Sequence, residues 1–153
     1  MLGSKSTYFL QHPDTLKKCR IELVLYMKSQ RYVVVKREVY LRAFDYFCEN
    51  PSGYDGATFV KDLCHIPGLD MNAMLHDYHC VVYNIAADYY TKWKGDWLYA
   101  KEMERTGRGQ LSWVNFFLLK LIGTLHVIYA NYKRGYITGQ QMINFEKDYR
   151  ILM

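Results

Sequence analysis

The sequence predicts an α+β fold, in which a small N-terminal antiparallel sheet or hairpin is combined with a bundle of three to four helices. Two observations favour this class. Residues 20–41 carry alternating and β-branched apolar runs, which are typical of strands. From Asp70 onward, apolar residues recur at the three- and four-residue spacing of helices. The 153 residues are enough for one domain with a sizeable core.

Three segments follow from these patterns. Residues 1–18 are polar and irregular and are expected to form an arm. Residues 19–135 are expected to form a single globular domain, with strands preceding helices. Residues 136–153 predict a capped amphipathic helix at the C-terminus, which would dock on the domain or on a partner.

The predicted strands occupy the start of the globular segment. In residues 20–27, Ile21, Leu23, Leu25 and Met27 alternate with other side chains. A short polar stretch follows, and residues 32–41 then carry a β-branched run. Two strands joined by a turn account for both runs. A helix that includes residues 37–49 is the competing interpretation of the second run.

The helical part of the sequence is predicted from caps and breaks. Asp70 is a candidate N-cap for a helix that fades by Tyr90. The residues KWKG at 92–95 are expected to break it. A second helix would then begin near Asp96 and end at Gly107.

Residues 110–132 are apolar almost all round and long enough to cross a bilayer. Lys120 lies at their middle, and an ionised Lys at mid-bilayer costs roughly 2.5–3.5 kcal/mol. The segment is therefore predicted to be the central core helix rather than a membrane span.

Composition limits the classes of function. The net charge of +5 comes from scattered basic residues, which does not favour nucleic-acid binding. The four cysteines form no C-x-x-C pair and predict reduced thiols of a protein made in the cytosol, and no signal peptide is visible. Fifteen Tyr suit a protein that makes contacts, because Tyr buries area and keeps a polar tip.

The stretch NAMLHDYHC, residues 72–80, raises a catalytic hypothesis. His76 and Asp77 diverge by about 100 degrees on a helix, so they can line a cleft but cannot both enter a core. If a second helix packs antiparallel, Asp96 could approach the imidazole and make His76 a general base. Asp77 would then hold a hard cation. The alternative is that His76 bonds a backbone carbonyl and that both Asp residues are caps or solvated.

A zinc site is a second candidate for the same stretch. His76, His79 and Cys80 lie at positions i, i+3 and i+4, and His65 precedes them. No further ligand pair at recognisable spacing completes the set. The sequence also has no G-x-S-x-G motif and no glycine-rich phosphate loop.

Three motifs resemble a family of short phage and prophage proteins of unknown function. ATFVKDL at 57–63 resembles the family's G-F-V-x-D, and AMLHDYHC at 73–80 resembles its L-H-D-Y. GDWLYAKEM at 95–103 resembles its A-D-x-x-F-x-x-A-M, with Gly95 and Tyr99 in place of Ala and Phe. The resemblance covers roughly residues 20–130. It implies a phage-encoded protein, located in the virion or in the cytoplasm of the host bacterium.

The L-H-D-Y helix and the later Asp also look like the helix pair of the A2-type phospholipases. That resemblance implies His76 as the base, Asp77 as a calcium ligand and Asp96 as the residue that orients His76. Asp62 is the second candidate metal ligand. The flanking cysteines and the glycine-rich calcium loop of those enzymes have no match here.

Two hypotheses therefore stand. The first is a non-enzymatic virion-associated (tail or portal-region) or assembly component that acts through contacts with other phage proteins, with neither nucleic acid nor membrane expected as a partner. The second is a small hydrolase of esters or amides that uses His76, Asp77 and Asp96, with calcium as its cation.

Overall fold

The protein is all-helical throughout the part of the chain that the computed structural model describes, which comprises residues 13–50, 54, 67–107 and 109–153. No strand occurs among those residues, so the prediction of an α+β fold with an N-terminal sheet is wrong. The helices run in the order α1 Pro13–Ser29, α2 Val34–Glu49, α3 Pro67–Val82, a 3-10 helix Ile85–Ala87, α4 Tyr89–Arg105, α5 Gly109–Leu121, α6 Gly123–Arg134 and α7 Gly139–Leu152.

The chain divides into two compact units, Met1–Tyr78 and His79–Met153. The boundary lies inside α3, so the last turn of that helix belongs to the second unit. The first unit contains α1, α2 and most of α3. The second contains the 3-10 helix and α4 to α7.

The first predicted strand is helix α1, and its alternating pattern is compatible with both structures. The four alternating residues are also two pairs spaced four apart, which share a face on a helix. Leu23 and Met27 are buried, whereas Ile21 and Leu25 are each 60% exposed. Only one of the two pairs, Leu23 and Met27, therefore contributes to the core. The polar arm predicted at 1–18 lies largely outside the described residues, and α1 already covers positions 13–18.

The second predicted strand is the first half of helix α2, as the competing interpretation proposed. The β-branched residues Val33, Val34 and Val35 lie at its N-terminal end and are all more than half exposed. The buried residues of α2 recur at three- and four-residue spacing: Val39, Tyr40, Ala43, Phe44 and Phe47. Burial of these five side chains outweighs the strand preference of the valines, because packing has a larger effect than the intrinsic preference of single residues.

Polar and aromatic contacts connect the helices of the first unit. The hydroxyl of Tyr40 lies 3.2 Å from Oδ1 of Asn72, and the two side chains are buried. Tyr46 and Tyr78 meet edge to face, with ring centroids 5.5 Å apart. The buried face of α3 in this unit is therefore held by α2 through both a hydrogen bond and a ring contact.

Helix α3 begins at Pro67, three residues before the predicted N-cap, so Asp70 lies in its first turn. Proline suits this position because its missing N–H would have no partner within the helix. The helix ends at Val82 rather than at Tyr90. Asn84 follows with φ +53, a left-handed conformation that Asn tolerates and that turns the chain into the 3-10 helix.

Helix α4 runs through the residues that were expected to break it. Its N-cap is Asp88, whose Oδ2 accepts from the backbone N–H of Thr91 at 2.9 Å and from its hydroxyl at 2.7 Å. The predicted break at 92–95 therefore lies in the helix interior, and Asp96 stands at its middle instead of its start. The C-terminal stop is confirmed, because Gly107 adopts φ +80 just beyond α4.

Residues 110–132 form two helices instead of one central core helix. They meet at Ile122, and only one side of them is covered by the protein. Phe116, Gly123 and Ala130 are buried, whereas many large apolar side chains on the other side are exposed. The prediction of a central core helix is therefore wrong. In the part of the chain that the structure describes, no helix is long and apolar enough to cross a membrane.

Helix α7 is the amphipathic helix that was predicted within residues 136–153. The hydroxyl of Thr138 accepts from the backbone N–H of Gln141, and the side chain of Gln141 accepts from the backbone N–H of Thr138. This capping box satisfies two N–H groups that have no partner in the helix itself. Phe145, Asp148 and Leu152 form the buried face.

Candidate functional site

The three residues of the catalytic hypothesis do not lie in one unit. His76 and Asp77 are on α3 in the first unit, and Asp96 is on α4 in the second. His76 is half-buried and Asp77 is buried. Asp62, the second candidate metal ligand, lies outside the described residues. The catalytic and calcium roles of these residues remain predictions.

Asp96 is the centre of a buried charged cluster. The ammonium group of Lys92, one turn earlier on α4, donates to its Oδ2 at 2.5 Å, and the ammonium of Lys120 on α5 lies 3.2 Å from the same oxygen. The side chain of Asp96 has no exposed surface, that of Lys92 is 4% exposed and that of Lys120 is 18% exposed. A buried carboxylate needs such partners, because burying an unpaired charge is very costly.

Lys120 is the least buried member of this cluster, and its ammonium lies close to aromatic rings. The distances to the ring centroids are 5.3 Å for Phe116, 5.5 Å for Trp93 and 6.0 Å for Tyr89. Burial lowers the pKa of Lys120, and the positive charge of Lys92 lowers it further, while Asp96 acts in the opposite direction. The net result is a pKa for Lys120 below its ordinary value of 10.5.

This arrangement bears on the role that the sequence suggested for Asp96. A carboxylate that orients a catalytic imidazole must keep an oxygen for the ring N–H. Here two ammonium groups within the second unit share Oδ2 of Asp96. The chemistry that the local geometry explains best is charge neutralisation inside a helical core.

A second buried pair consists of His79 and Asp148, which no motif or spacing in the sequence connects. Nε2 of His79 lies 3.1 Å from Oδ2 of Asp148, with side chains 2% and 3% exposed. The imidazole stacks on Tyr83 at 5.6 Å and meets Phe145 edge to face at 5.2 Å. Because both side chains are buried and the imidazole packs between two rings, we assign this pair to the core of the second unit.

One signal in the sequence could have revealed Asp148. It follows Phe145 by three residues and precedes Leu152 by four, so it falls on the apolar face of α7. An acidic residue at such a position requires a buried partner. The identity of that partner was not predictable from spacing, because His79 lies 69 residues away.

The zinc hypothesis gains no support from the described residues. Among them, no group of three or more His, Cys, Asp or Glu side chains is placed to hold a metal ion. His79 is engaged with Asp148, and Cys80 is half-buried. His65 lies outside the described residues.

The most prominent surface feature of the second unit is an apolar stripe along α5 and α6. We define it by six side chains, each at least 60% exposed: Val114, Phe117, Leu121, Leu125, Ile128 and Tyr132. Successive members are three or four residues apart, which is the spacing of one helix face. Leu121 and Leu125, at its middle, are 82% and 69% exposed. An exposed apolar surface of this extent usually marks an interaction site.

The stripe continues across the junction of the two helices. The backbone N–H of Ile122 donates to the carbonyl of Leu118 at 3.3 Å, and that of His126 donates to the carbonyl of Ile122 at 3.0 Å. Both bonds have the i to i−4 spacing of an α-helix. With φ −101 and ψ 6 at Ile122, the chain departs only locally from helical geometry. The members on α5 and those on α6 therefore follow one another along one surface.

Charge along this part of the chain has one sign. No Asp or Glu occurs between Glu104 and Glu146, whereas that interval contains five Lys or Arg residues. Lys133 and Arg134 are exposed at the C-terminal end of α6. The basic residues are scattered along the sequence, but the absence of acidic residues from this interval gives it a positive charge.

Comparison with protein-family models, with curated proteins and with solved structures finds no match. The resemblance of the three motifs to a phage family therefore stays a prediction.

Proposed function

We propose that this chain is a non-catalytic protein that acts through a contact surface, and that the apolar stripe of α5 and α6 is that surface. The observation that carries the proposal is the exposure of six large apolar side chains in one row. Leaving them in water is unfavourable by roughly 25 cal/mol for each Å² of apolar area. A partner that covers the stripe would recover this free energy, which gives the contact its driving force.

The buried charges support the same proposal. Asp96 is shared by Lys92 and Lys120, and His79 is paired with Asp148 among aromatic rings. Groups that are already bonded in a packed interior stabilise the fold, and they are poorly placed to take part in a reaction. A virion-associated or assembly role, which the three motifs predict by resemblance, is a setting in which such a contact surface would serve.

The proposal is tested with a double substitution at the middle of the stripe, Leu121→Ser with Leu125→Ser. Both side chains are largely exposed, so the fold should tolerate the change. The wild type is expected to associate, with itself or with an added surface, and the double variant is expected to lose that association. Light scattering over a range of concentrations and binding to vesicles would measure it.

A matched control is Val34→Ser with Val35→Ser, which removes two exposed apolar side chains from the first unit. It should leave association unchanged. The hydrolase alternative is examined in parallel with ester and amide substrates, with and without calcium. Hydrolysis that disappears in the variant His76→Ala would overturn the non-catalytic proposal.

A further inference from the structure

We infer that the apolar stripe docks on the surface of an anionic lipid bilayer, with α5 and α6 lying in the plane of the interface. This inference rests on the proposed contact function and names its partner. It departs from the expectation drawn from the sequence, in which no membrane was expected as a partner and residues 110–132 were predicted to be a buried core helix rather than a membrane span.

The charge of the surrounding chain selects the partner. The interval from residue 105 to residue 145 contains five cationic side chains and no acidic one. Two of the five are already paired, Arg105 with Glu102 and Lys120 with Asp96, so among the described residues the exposed positive charge beside the stripe is that of Lys133 and Arg134. A second copy of the same surface offers no acidic side chain from this interval to meet that charge, so it is the less favoured partner. Anionic headgroups are complementary to this surface, and each Lys or Arg near such a bilayer adds to the attraction. Lys133 and Arg134 are exposed and adjoin the last residue of the stripe, Tyr132.

The side-chain chemistry of the stripe also suits a bilayer interface. Its members are aliphatic or aromatic, as in helices that lie in the boundary between headgroups and acyl chains. Tyr129, Tyr132 and Tyr136 are 54%, 90% and 83% exposed near its C-terminal end. Tyr is enriched at that boundary because its ring enters the apolar region while its hydroxyl remains hydrated.

The backbone of the stripe stays hydrogen-bonded where α5 and α6 meet, as a helix at a bilayer interface requires. From Val114 to Tyr132 the stripe is about 27 Å long at the rise of an α-helix. The hydrogen bonds of Ile122 and His126 continue the helical pattern across the junction. An interfacial helix enters the bilayer by only about 5–10 Å, so the buried face of α5 and α6 can remain packed on the rest of the unit.

An acidic amphipathic helix of a partner protein would offer similar chemistry. The lipid surface is favoured because the exposed apolar residues are not confined to one narrow seam. Tyr129, next to Ile128 on α6, is exposed outside the stripe, and so are Tyr89, Tyr90 and Trp93 of α4. Trp93 and Tyr89 lie within 6.0 Å of the Lys120 ammonium, measured to their ring centroids, so these aromatic residues border α5. A broad surface of this kind fits a bilayer better than the groove contacts of a single helix.

The test uses the full chain and vesicles of two compositions, phosphatidylcholine alone and phosphatidylcholine mixed with phosphatidylglycerol. Co-sedimentation is expected with the mixed vesicles, and it should weaken as salt is added, because salt screens the headgroup charges. Leu121→Ser with Leu125→Ser should reduce the partition coefficient by about tenfold or more for each leucine. Lys133→Gln should reduce it by about fivefold.

The control variant, Val34→Ser with Val35→Ser, should bind the mixed vesicles as the wild type does. Circular dichroism of each variant checks that it remains folded. Wild-type chain that stays in the supernatant with mixed vesicles would overturn the inference, and so would a stripe variant that binds them unchanged. Equal binding to vesicles of phosphatidylcholine alone would show that anionic headgroups are not needed, and it would overturn that part of the inference.

The same experiment separates this inference from the proposed contact function. Self-association that needs Leu121 and Leu125, without vesicle binding, would overturn the lipid partner and leave the contact function standing. Binding to an acidic helical peptide, again without vesicle binding, would do the same. Hydrolysis that depends on His76 would overturn the non-catalytic function whatever the vesicles show.

Discussion

Nε2 of His79 lies 3.1 Å from Oδ2 of Asp148, although the two residues are 69 positions apart in the chain. Nε2 donates this hydrogen bond when it carries the ring proton, and the carboxylate oxygen then accepts it. The bond connects the last turn of α3 with the buried face of α7, both within the second unit. Each side chain is almost fully enclosed, so removing one of them takes a hydrogen bond from a buried polar atom of the other.

We expect Asp148→Ala to lower the free energy of unfolding by about 3 kcal/mol, because it leaves a buried imidazole facing an apolar side chain. Urea denaturation would measure the loss. The control is Glu104→Gln in the same unit, which weakens an exposed pair whose Lys101 ammonium lies 3.6 Å from the Glu104 carboxylate. That change should cost less than about 0.5 kcal/mol. Equal losses in the two variants would mean that the buried pair contributes little.

Lys120 predicts a dependence of stability on pH. Its pKa is lowered in the folded chain, chiefly by burial, from an ordinary value of 10.5. Between the lowered pKa and 10.5, the unfolded chain binds more protons than the folded chain. Stability contributed by this group therefore rises with pH across that window and is lowest where Lys120 is charged in both states.

The variant Lys120→Met removes this titration and keeps an apolar side chain near Phe116 and Trp93. We expect its stability to rise less steeply than that of the wild type as the pH approaches 10.5. Urea denaturation of both proteins over this pH range gives the difference, in which titrating groups remote from Lys120 cancel. Parallel curves would show that the pKa of Lys120 is the same in the folded and unfolded chains.

Local signals in the sequence predicted some elements of the fold and failed for others. Helix α7 was predictable because Thr138 and Gln141, which start it, bond each other. Helix α1 was not, because four residues at alternating positions fit one face of a strand and also two faces of a helix. Which pair is buried depends on the packing of α1 against α2, and the alternation alone contains no information about that neighbour.

The polar clusters were likewise predictable from the sequence only in part. Lys92 and Asp96 are spaced four apart and form an expected helix pair once α4 is known to be continuous. The approach of Lys120 depends on how α5 packs against α4, which no spacing encodes. A charged residue on the buried face of a helix indicates that a partner exists, but it does not identify that partner.

The capping box of α7 gives a third prediction. We expect Thr138→Ala to lower the free energy of unfolding by about 1 kcal/mol, since it removes the acceptor for the Gln141 N–H at 3.1 Å. Thermal or urea unfolding would measure it. Gln140→Ala is the control, because the Gln140 side chain donates to Oδ1 of Asn144 on the exposed side of the same helix. That substitution should change stability by less than about 0.5 kcal/mol.

Gly95 explains how closely α4 approaches the 3-10 helix. A Cβ at this position would lie 2.3 Å from Cδ1 of Ile85, which is fully buried, and 3.9 Å from Cζ of Phe145. Helix propensity alone would favour Ala over Gly by about 1 kcal/mol.

We expect the overlap to outweigh that preference, so that Gly95→Ala lowers the free energy of unfolding by about 1–2 kcal/mol. Ile85→Val removes the Cδ1 atom and should cost about 1 kcal/mol by itself. If the clash is the cause, the double variant will be more stable than the sum of the two losses predicts, with a coupling of about 1 kcal/mol. Urea denaturation of the wild type, the two single variants and the double variant completes this double-mutant cycle.

Gly139→Ala is the matched control for the cycle, because a Cβ there meets no heavy atom within 4 Å. It lies at the start of α7, where Ala is as compatible with the helix as Gly. That substitution should be neutral or slightly stabilising. If Gly95→Ala behaved in the same way, or if its loss simply added to that of Ile85→Val, the contact between α4 and the 3-10 helix would be looser than the 2.3 Å approach requires.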